Sequence, residues 1–274
     1  MRREGRAVMR IIGLPSSRTF TGAVLSGCLL ALTAIAPVRA QGAADEFVTE
    51  RTFFRTSVNG KAVRLEGLII KRADLTGKLP VALITHGKSP NLADMLALRA
   101  SDYGPYARDL ARRGYLSVVV LRRGFGQSDG PMPVPVTCST DTFANFFSAD
   151  ADDLQGALDA ASRRPDADPN RAIAIGVSAG GAAVMALASR NPKNLKGVIN
   201  VSGGLQTPDC PKDDVLVNAF KSYGATSRVP TIWVYANNDS LFGPKLVERM
   251  QSAYLDGGGD VKLVMFDKFG NDGH

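Results

Sequence analysis

The chain has 274 residues, 45% of them hydrophobic and 22% charged, which is enough length and apolar content to close one full core. That balance excludes a disordered chain, a collagen-like repeat and a disulfide-stapled miniprotein. The formal net charge of +7 does not call for a nucleic-acid partner: six arginines and one glutamate in the first forty residues carry five of those charges, leaving +2 for residues 41–274.

Arg2, Arg3, Arg6, Arg10 and Arg18 precede the apolar run "GAVLSGCLLALTAIA", and "PVRA" and "QG" follow it. A basic start, an apolar middle and the small residues Val38 and Ala40 predict a secretory signal peptide over residues 1–40, cleaved between Ala40 and Gln41. The run is 15 residues long, short of the roughly 20 that span a bilayer, so no stable membrane anchor is expected. "LSGC" around Cys28 resembles a lipoprotein box, but most of the apolar run follows that cysteine instead of preceding it. The expectation is an exported protein, periplasmic or secreted, in which residues 41–274 form a single domain. With Cys28 removed, Cys138 and Cys210 remain, and an oxidising compartment would let them pair as a disulfide. The alternative is two separate buried thiols.

Past the leader, "RTFFRTSV" and "AVRLEGLII" are β-rich runs joined by "NGK", which predicts an antiparallel hairpin at a sheet edge. Short continuous apolar runs then recur at 80–85, 116–121, 172–177, 197–202, 230–236 and 261–266. Unbroken hydrophobicity is what strands covered on both faces need. Between them "YGPYARDLARRG", "ANFFSADADDLQGALDAASRR", "AGGAAVMALASR" and "GPKLVERMQSAYLDGGG" have helical spacing. This alternation predicts an α/β fold with a mostly parallel, doubly wound sheet and right-handed crossovers. The prolines and glycine of "DGPMPVPVTCSTDTF" favour a loop, placed to form a rim or lid.

Open α/β sheets bind ligands beyond the carboxyl ends of their strands. There "GVSAGG" follows the strand at 172–177 and has the form G-x-S-x-G. This spacing puts Ser178 on a strained strand-to-helix turn that small neighbours allow, with the Ala179 amide at a helix N-terminus facing developing negative charge. A serine nucleophile needs a base, and the chain has two histidines. His86, in "ITHGKSP", closes the strand at 80–85, where a second oxyanion donor belongs. A hydrogen bond that orders the loop is its simpler role, and the Lys88 amide could donate to the oxyanion. His274 follows the last predicted strand and is the base by elimination and by order. Asp239, in "NNDSLFGP" after the strand at 230–236, is the carboxylate that would fix the imidazole tautomer. A turn or N-cap role is its alternative, and Asp267 and Asp272 stand behind it as candidates.

Together "HGKS", "RRGFGQSDG", "GVSAGG", "YANNDSLFGP" and "FGNDGH" resemble the α/β-hydrolase superfamily, in particular its dienelactone hydrolase-like branch and related exported esterases. The resemblance implies a serine hydrolase working through an acyl-enzyme, with Ser178, Asp239 and His274 as triad and the Lys88 and Ala179 amides as oxyanion hole. Two departures matter. Dienelactone hydrolases proper use cysteine at the elbow, so their substrate does not carry over. The superfamily pattern also continues past its histidine into a helix that packs on the sheet, so this covering element is expected to be missing here.

Arg122 and Arg123 follow a strand at the active end and could bind an acidic substrate group or form a salt bridge that orders the loop. Tyr103, Tyr106 and Trp233 read as core or groove aromatics. With two distant histidines, no H-E-x-x-H, no close Cys/His cluster, no P-loop and no dinucleotide fingerprint, neither metal nor cofactor is expected. The substrate expected is a small-molecule ester or a peptide. A peptidase or acyltransferase could use the same triad, and a non-catalytic exported binding protein on a hydrolase scaffold is the reading of another class. Oligomeric state is left open.

Overall fold

The computed structural model describes residues 45–58, 60–132, 138–206 and 213–274. The predicted signal peptide, the middle of the proline-rich loop (133–137) and Cys210 of the predicted disulfide lie outside the described residues.

The hairpin forms as its turn signal requires. β1 (Phe47–Val58) pairs antiparallel with β2 (Lys61–Arg72) in unbroken register from Phe47↔Arg72 to Val58↔Lys61. Gly60 closes the turn at φ 74°, the left-handed backbone that a two-residue connection needs. The six apolar runs become β3 (Leu79–Thr85), β4 (Leu116–Val120), β5 (Ala167–Val177), β6 (Leu195–Val201), β7 (Thr231–Ala236) and β8 (Val261–Phe266). The sheet order is β1-β2-β4-β3-β5-β6-β7-β8. β2 joins β4 antiparallel, and every pair from β4 onward is parallel.

The helices are α1 (Leu92–Ala97), α2 (Gly104–Arg112), α3 (Thr140–Ser162), α4 (Ala179–Ala188), α5 (Asp213–Thr226) and α6 (Pro244–Asp256). The end of "DGPMPVPVTCSTDTF" belongs to α3 and not to a loop, because the Ser139 hydroxyl accepts the Thr142 amide at 3.2 Å and so caps the helix before Thr140. No helix was expected over α5. Its buried Val215, Leu216, Ala219, Phe220 and Tyr223 nevertheless recur at helical spacing.

One face of the sheet is covered from end to end. Phe143, Phe147 and Leu154 of α3 and the buried side of α4 pack with Leu65, Val81, Leu83, Val118 and Val198. Farther along, Trp233 of β7 lies between Phe220 of α5 and Tyr254 of α6, with ring centroids 5.0 and 5.3 Å away. Among the described residues, the opposite face is covered over β2, β3 and β4 alone, where α2 and Met95 of α1 pack on Leu68, Ile70, Ile84, Val119 and Leu121. Over β5 to β8 this face is partly open: Ile175, Ile199 and Ile232 lie in one register row and Val177, Val201, Val234 and Val264 in the next, none of them buried. Coverage on both faces, expected from the continuous apolar runs, therefore holds for β3 and β4 and fails for the last four strands.

Candidate active site

β5 ends at Val177 and α4 begins at Ala179, leaving Ser178 alone at the bend with φ 55° and ψ −125°. Such a backbone on a non-glycine residue costs about 1–3 kcal/mol and persists only where its surroundings over-determine it. Those surroundings are specific. The Ser178 amide donates to Val201 O at 2.9 Å, and Ser178 O accepts from the amides of Gly181 at 2.8 Å and Gly204 at 3.1 Å. A Cβ at Gly176 would stand 2.0 Å from Gly180 O, and one at Gly180 would stand 2.3 Å from His86 O. Strand, helix and neighbouring loop thus meet in space that only glycine leaves free.

Two further elements bring their ends to this serine. His274 Nε2 lies 3.1 Å from Ser178 Oγ, and His274 Nδ1 lies 3.2 Å from Asp239 Oδ2. Asp239 follows β7 and is 5% exposed. Its Oδ1 accepts the amides of Leu241 at 2.9 Å and Phe242 at 2.8 Å. The turn role and the contact to the histidine, alternatives in the sequence, are therefore met by one carboxylate: both of its oxygens lie 3.2 Å from His274 Nδ1, and Oδ1 takes the two amides as well. Burial works against ionisation of Asp239, but the His274 hydrogen bond and the two amides outweigh it and hold the carboxyl below its ordinary range. Because Asp239 accepts, Nδ1 carries the proton, and Nε2 is left as an acceptor facing the hydroxyl.

His274 is held from its own segment and from the loop after β7. Asn238 Oδ1 accepts the Phe269 amide at 2.8 Å, and its Nδ2 donates to Phe269 O at 3.1 Å. The Gly273 amide donates to Asn238 O at 3.1 Å. Asp272 Oδ1 accepts the amides of Ser240 at 3.0 Å and His274 at 3.1 Å, and Oδ2 accepts the Ser240 hydroxyl at 2.7 Å. Asp272 is thus a tether of the His274 backbone. Asp267 is exposed and stands outside this set. Asn238 and Ser240 were missed from sequence, because their partners lie about thirty residues downstream and no local spacing marks them. The Phe242 ring packs at 5.3 Å from the imidazole.

His86 takes the loop-ordering role. It is fully buried, its Nε2 accepts the Arg122 amide at 3.0 Å, and its Nδ1 donates to Gly87 O at 2.7 Å. Burial, and after it the charge of Arg122, push its pKa well below the usual imidazole value, so the ring is neutral. Next in sequence, a Cβ at Gly87 would lie 3.1 Å from Ser178 Cβ, so the loop that opens with "GKS" after β3 passes directly against the serine, and the half-buried Lys88 follows. Ala179 opens α4, where the first amides have no intrahelical acceptor.

Arg122 and Arg123 are engaged by carboxylates of α3. Arg122 Nε is 3.2 Å from Asp150 Oδ2, and Arg123 Nε is 2.8 Å from Asp153 Oδ1. Both aspartates are buried, and desolvation raises the Asp153 pKa to about 6 against the pull of Arg123. The loop-ordering reading of these arginines is the one their contacts support. Asp150 and Asp153 were not anticipated, yet they sit on the stripe of Phe143, Phe146, Phe147, Leu154 and Ala157. An acidic residue on the apolar side of a helix is a signal for a buried ion pair. Trp233 is core, Tyr106 is at the surface, and the Tyr103 ring stands 6.5 Å from that of His86. Cys138 is half-buried against the core just before α3.

Comparison with known proteins bears on the family and the fold. The chain is 28% identical over 162 residues to a Nocardia uniformis subsp. tsuyamanensis protein named "Putative esterase NocK", a match covering 59% of this chain and 40% of that one. The chain thus spans less than half the length of this relative. Among solved structures, a dienelactone hydrolase-like promiscuous phosphotriesterase from metagenomic libraries is 16% identical, with a TM-score of 0.59 over 81% of this chain and 82% of that one. An acetyl xylan esterase from Paenibacillus sp. R4 is 14% identical, with a TM-score of 0.57 over 88% and 82%. Both share the fold. Residues 96–242, more than half of the chain and including Ser178 and Asp239, match the family described as "Serine aminopeptidase, S33", and the chain belongs to this family of α/β-hydrolases.

Proposed function

We propose that the protein is a serine hydrolase that cleaves carboxylic esters through an acyl-enzyme. The observation that carries this reading is Ser178 Oγ, raised on a strained turn, 3.1 Å from the unprotonated nitrogen of an imidazole whose other nitrogen meets Asp239. Ser178 Oγ attacks the ester carbonyl while its proton passes to His274 Nε2, and Asp239 stabilises the imidazolium. The oxyanion forms against the Ala179 and Lys88 amides. Collapse breaks the bond to the alcohol, which leaves with the proton from His274. Water then attacks the acyl-enzyme by the same route and releases the acid.

An ester agrees with the name given to NocK, and a peptide amide agrees with the name of the family. The two differ in how much help the leaving group needs, and the same three residues can supply either. Export after cleavage near Ala40 and a Cys138–Cys210 bridge belong to the same proposal, on the pattern of the first forty residues and the cysteine count.

A fluorophosphonate probe and a panel of short nitrophenyl esters and peptide amides test the reading. Labelling that disappears in Ser178→Ala, with ester turnover above amide turnover, is the expected result. Amide cleavage alone would move the protein to the peptidases, and labelling indifferent to Ser178 would support the non-catalytic binding reading.

A further inference from the structure

We infer that Arg122, backed by Asp150, is a positioning residue that fixes the His86–Lys88 wall of the oxyanion site against the nucleophile elbow. The inference rests on the serine-hydrolase reading above. Arg122 is fully buried and grips His86 at two points. Its Nη1 donates to His86 O at 2.7 Å, and its backbone amide donates to His86 Nε2 at 3.0 Å. The same Nη1 donates to Thr85 Oγ1 at 2.9 Å, which ties the end of β3 into the set. It also lies 3.1 Å from where a Gly180 Cβ would stand, beneath the first turn of α4. One guanidinium is therefore bonded to the loop carrying Lys88 and lies beside the helix end carrying Ala179, the two walls that would present oxyanion donors.

The energetics point to placement as the purpose. A buried Arg–Asp pair gives up two hydration shells, and an apolar pair of equal volume is commonly as stable or more so. What an apolar pair cannot do is hold a backbone carbonyl and a hydroxyl in fixed directions. The His86 ring itself is turned by the Arg122 backbone amide at Nε2 and by Gly87 O at Nδ1, contacts that a substitution at 122 keeps. The neighbouring Arg123–Asp153 pair is built from the same two elements, but Arg123 Nη2 donates to Ala149 O on α3, away from β3. It supplies an internal control.

The test compares Arg122→Met with Arg123→Met. Phenylboronic acid, whose serine adduct has the tetrahedral geometry of the intermediate, reports the oxyanion site apart from substrate binding. Arg122→Met is expected to lower kcat ten- to a hundredfold with KM within threefold, and to weaken phenylboronic acid by the same factor as kcat. Hydrogen exchange should rise in the peptide over residues 86–91 more than elsewhere. Arg122→Lys should recover part of each effect. Arg123→Met should lose thermal stability with kcat and boronate inhibition within twofold of the parent. Equal losses in the two methionine variants, or a fall in kcat with boronate affinity unchanged, would overturn the inference. If Arg122→Met does not fold, Arg122→Lys and Asp150→Asn carry the same readouts. A parent chain without Ser178-dependent labelling would remove the hydrolase reading, and the exchange comparison would still decide whether Arg122 anchors the loop.

Discussion

Asp239 shows how much can depend on the chemistry of single oxygens. Its Oδ1 completes the turn after β7 and both oxygens stand 3.2 Å from the imidazole Nδ1, so Asp239→Asn keeps the turn acceptor while it removes the charge and one acceptor from the imidazole. Asparagine keeps an oxygen for the Leu241 and Phe242 amides and turns an NH2 toward His274 Nδ1. An imidazole whose Nδ1 accepts from this NH2 carries its proton on Nε2, where it cannot accept one from Ser178. A fall in kcat of about 10⁴-fold with the fold retained is expected, and steady-state kinetics beside far-UV circular dichroism would check it. A loss below tenfold would remove Asp239 from the proposed triad. Stability should follow pH in a defined direction. The folded pKa of Asp239 is held below its ordinary 3.8, so its contribution is present above that value and is lost as pH falls through the folded value. The gap in urea midpoint between parent and variant should therefore shrink from pH 7 to pH 3. Ser178, Asp239 and His274 were legible because chain order and residue type suffice to name them. Asn238 was not, because a bond between a side chain and a distant backbone has no sequence period.

At the scale of elements, the segment from Asp267 to His274 has no regular structure of its own and is shaped by the loop after β7. Asn238 receives Phe269 and Asp272 receives Ser240, so each strand of this pairing holds the other. Asn238→Ala removes two hydrogen bonds to the Phe269 backbone and a longer one, 3.4 Å, to Gly270 O, worth about 0.5–1.5 kcal/mol each at most. Because the segment has no regular structure of its own and is held by these loop contacts, the loss should loosen His274 more than the core. The expected outcome is a kcat lower by about tenfold with a melting temperature within a few degrees of the parent, and Asp267→Ala should change neither. Equal kcat in Asn238→Ala and the parent would show that the Asp239 and Asp272 contacts hold the imidazole alone. Amphipathic spacing alone did not decide which helices were legible: α4, buried all round, was expected, and α5, with its apolar residues at helical spacing, was not. The start of α3 was hidden because a serine cap gives the same residue types as a loop.

Across the whole molecule, the two faces of the sheet answer to different neighbours. Continuous apolar runs suggested burial on both sides, and for β3 and β4 this is so. In β6 and β7 the burial instead alternates: Val198 and Trp233 are buried, while Ile199 is half-buried and Ile232 is 41% exposed. Hydrophobicity alone could not show this, since an apolar strand reads the same whether a helix covers one face or both. The difference has a direct thermodynamic consequence. Val198→Thr puts a hydroxyl into the closed side beneath α4 and should cost about 1–3 kcal/mol. Ile232→Thr keeps a β-branched residue in the same sheet but leaves its hydroxyl within reach of water, so a change near 0.5 kcal/mol is expected. An apolar patch built from Ile175, Ile199, Ile232 and Val234 should also bind anilinonaphthalene sulfonate in the native state, and Ile199→Thr with Ile232→Thr should reduce that fluorescence. Urea unfolding of the two single variants, read beside native-state dye binding, decides the matter. Equal destabilisation by Val198→Thr and Ile232→Thr would mean that the open side of β5 to β8 is covered in solution, and the absence of native dye binding would agree with it.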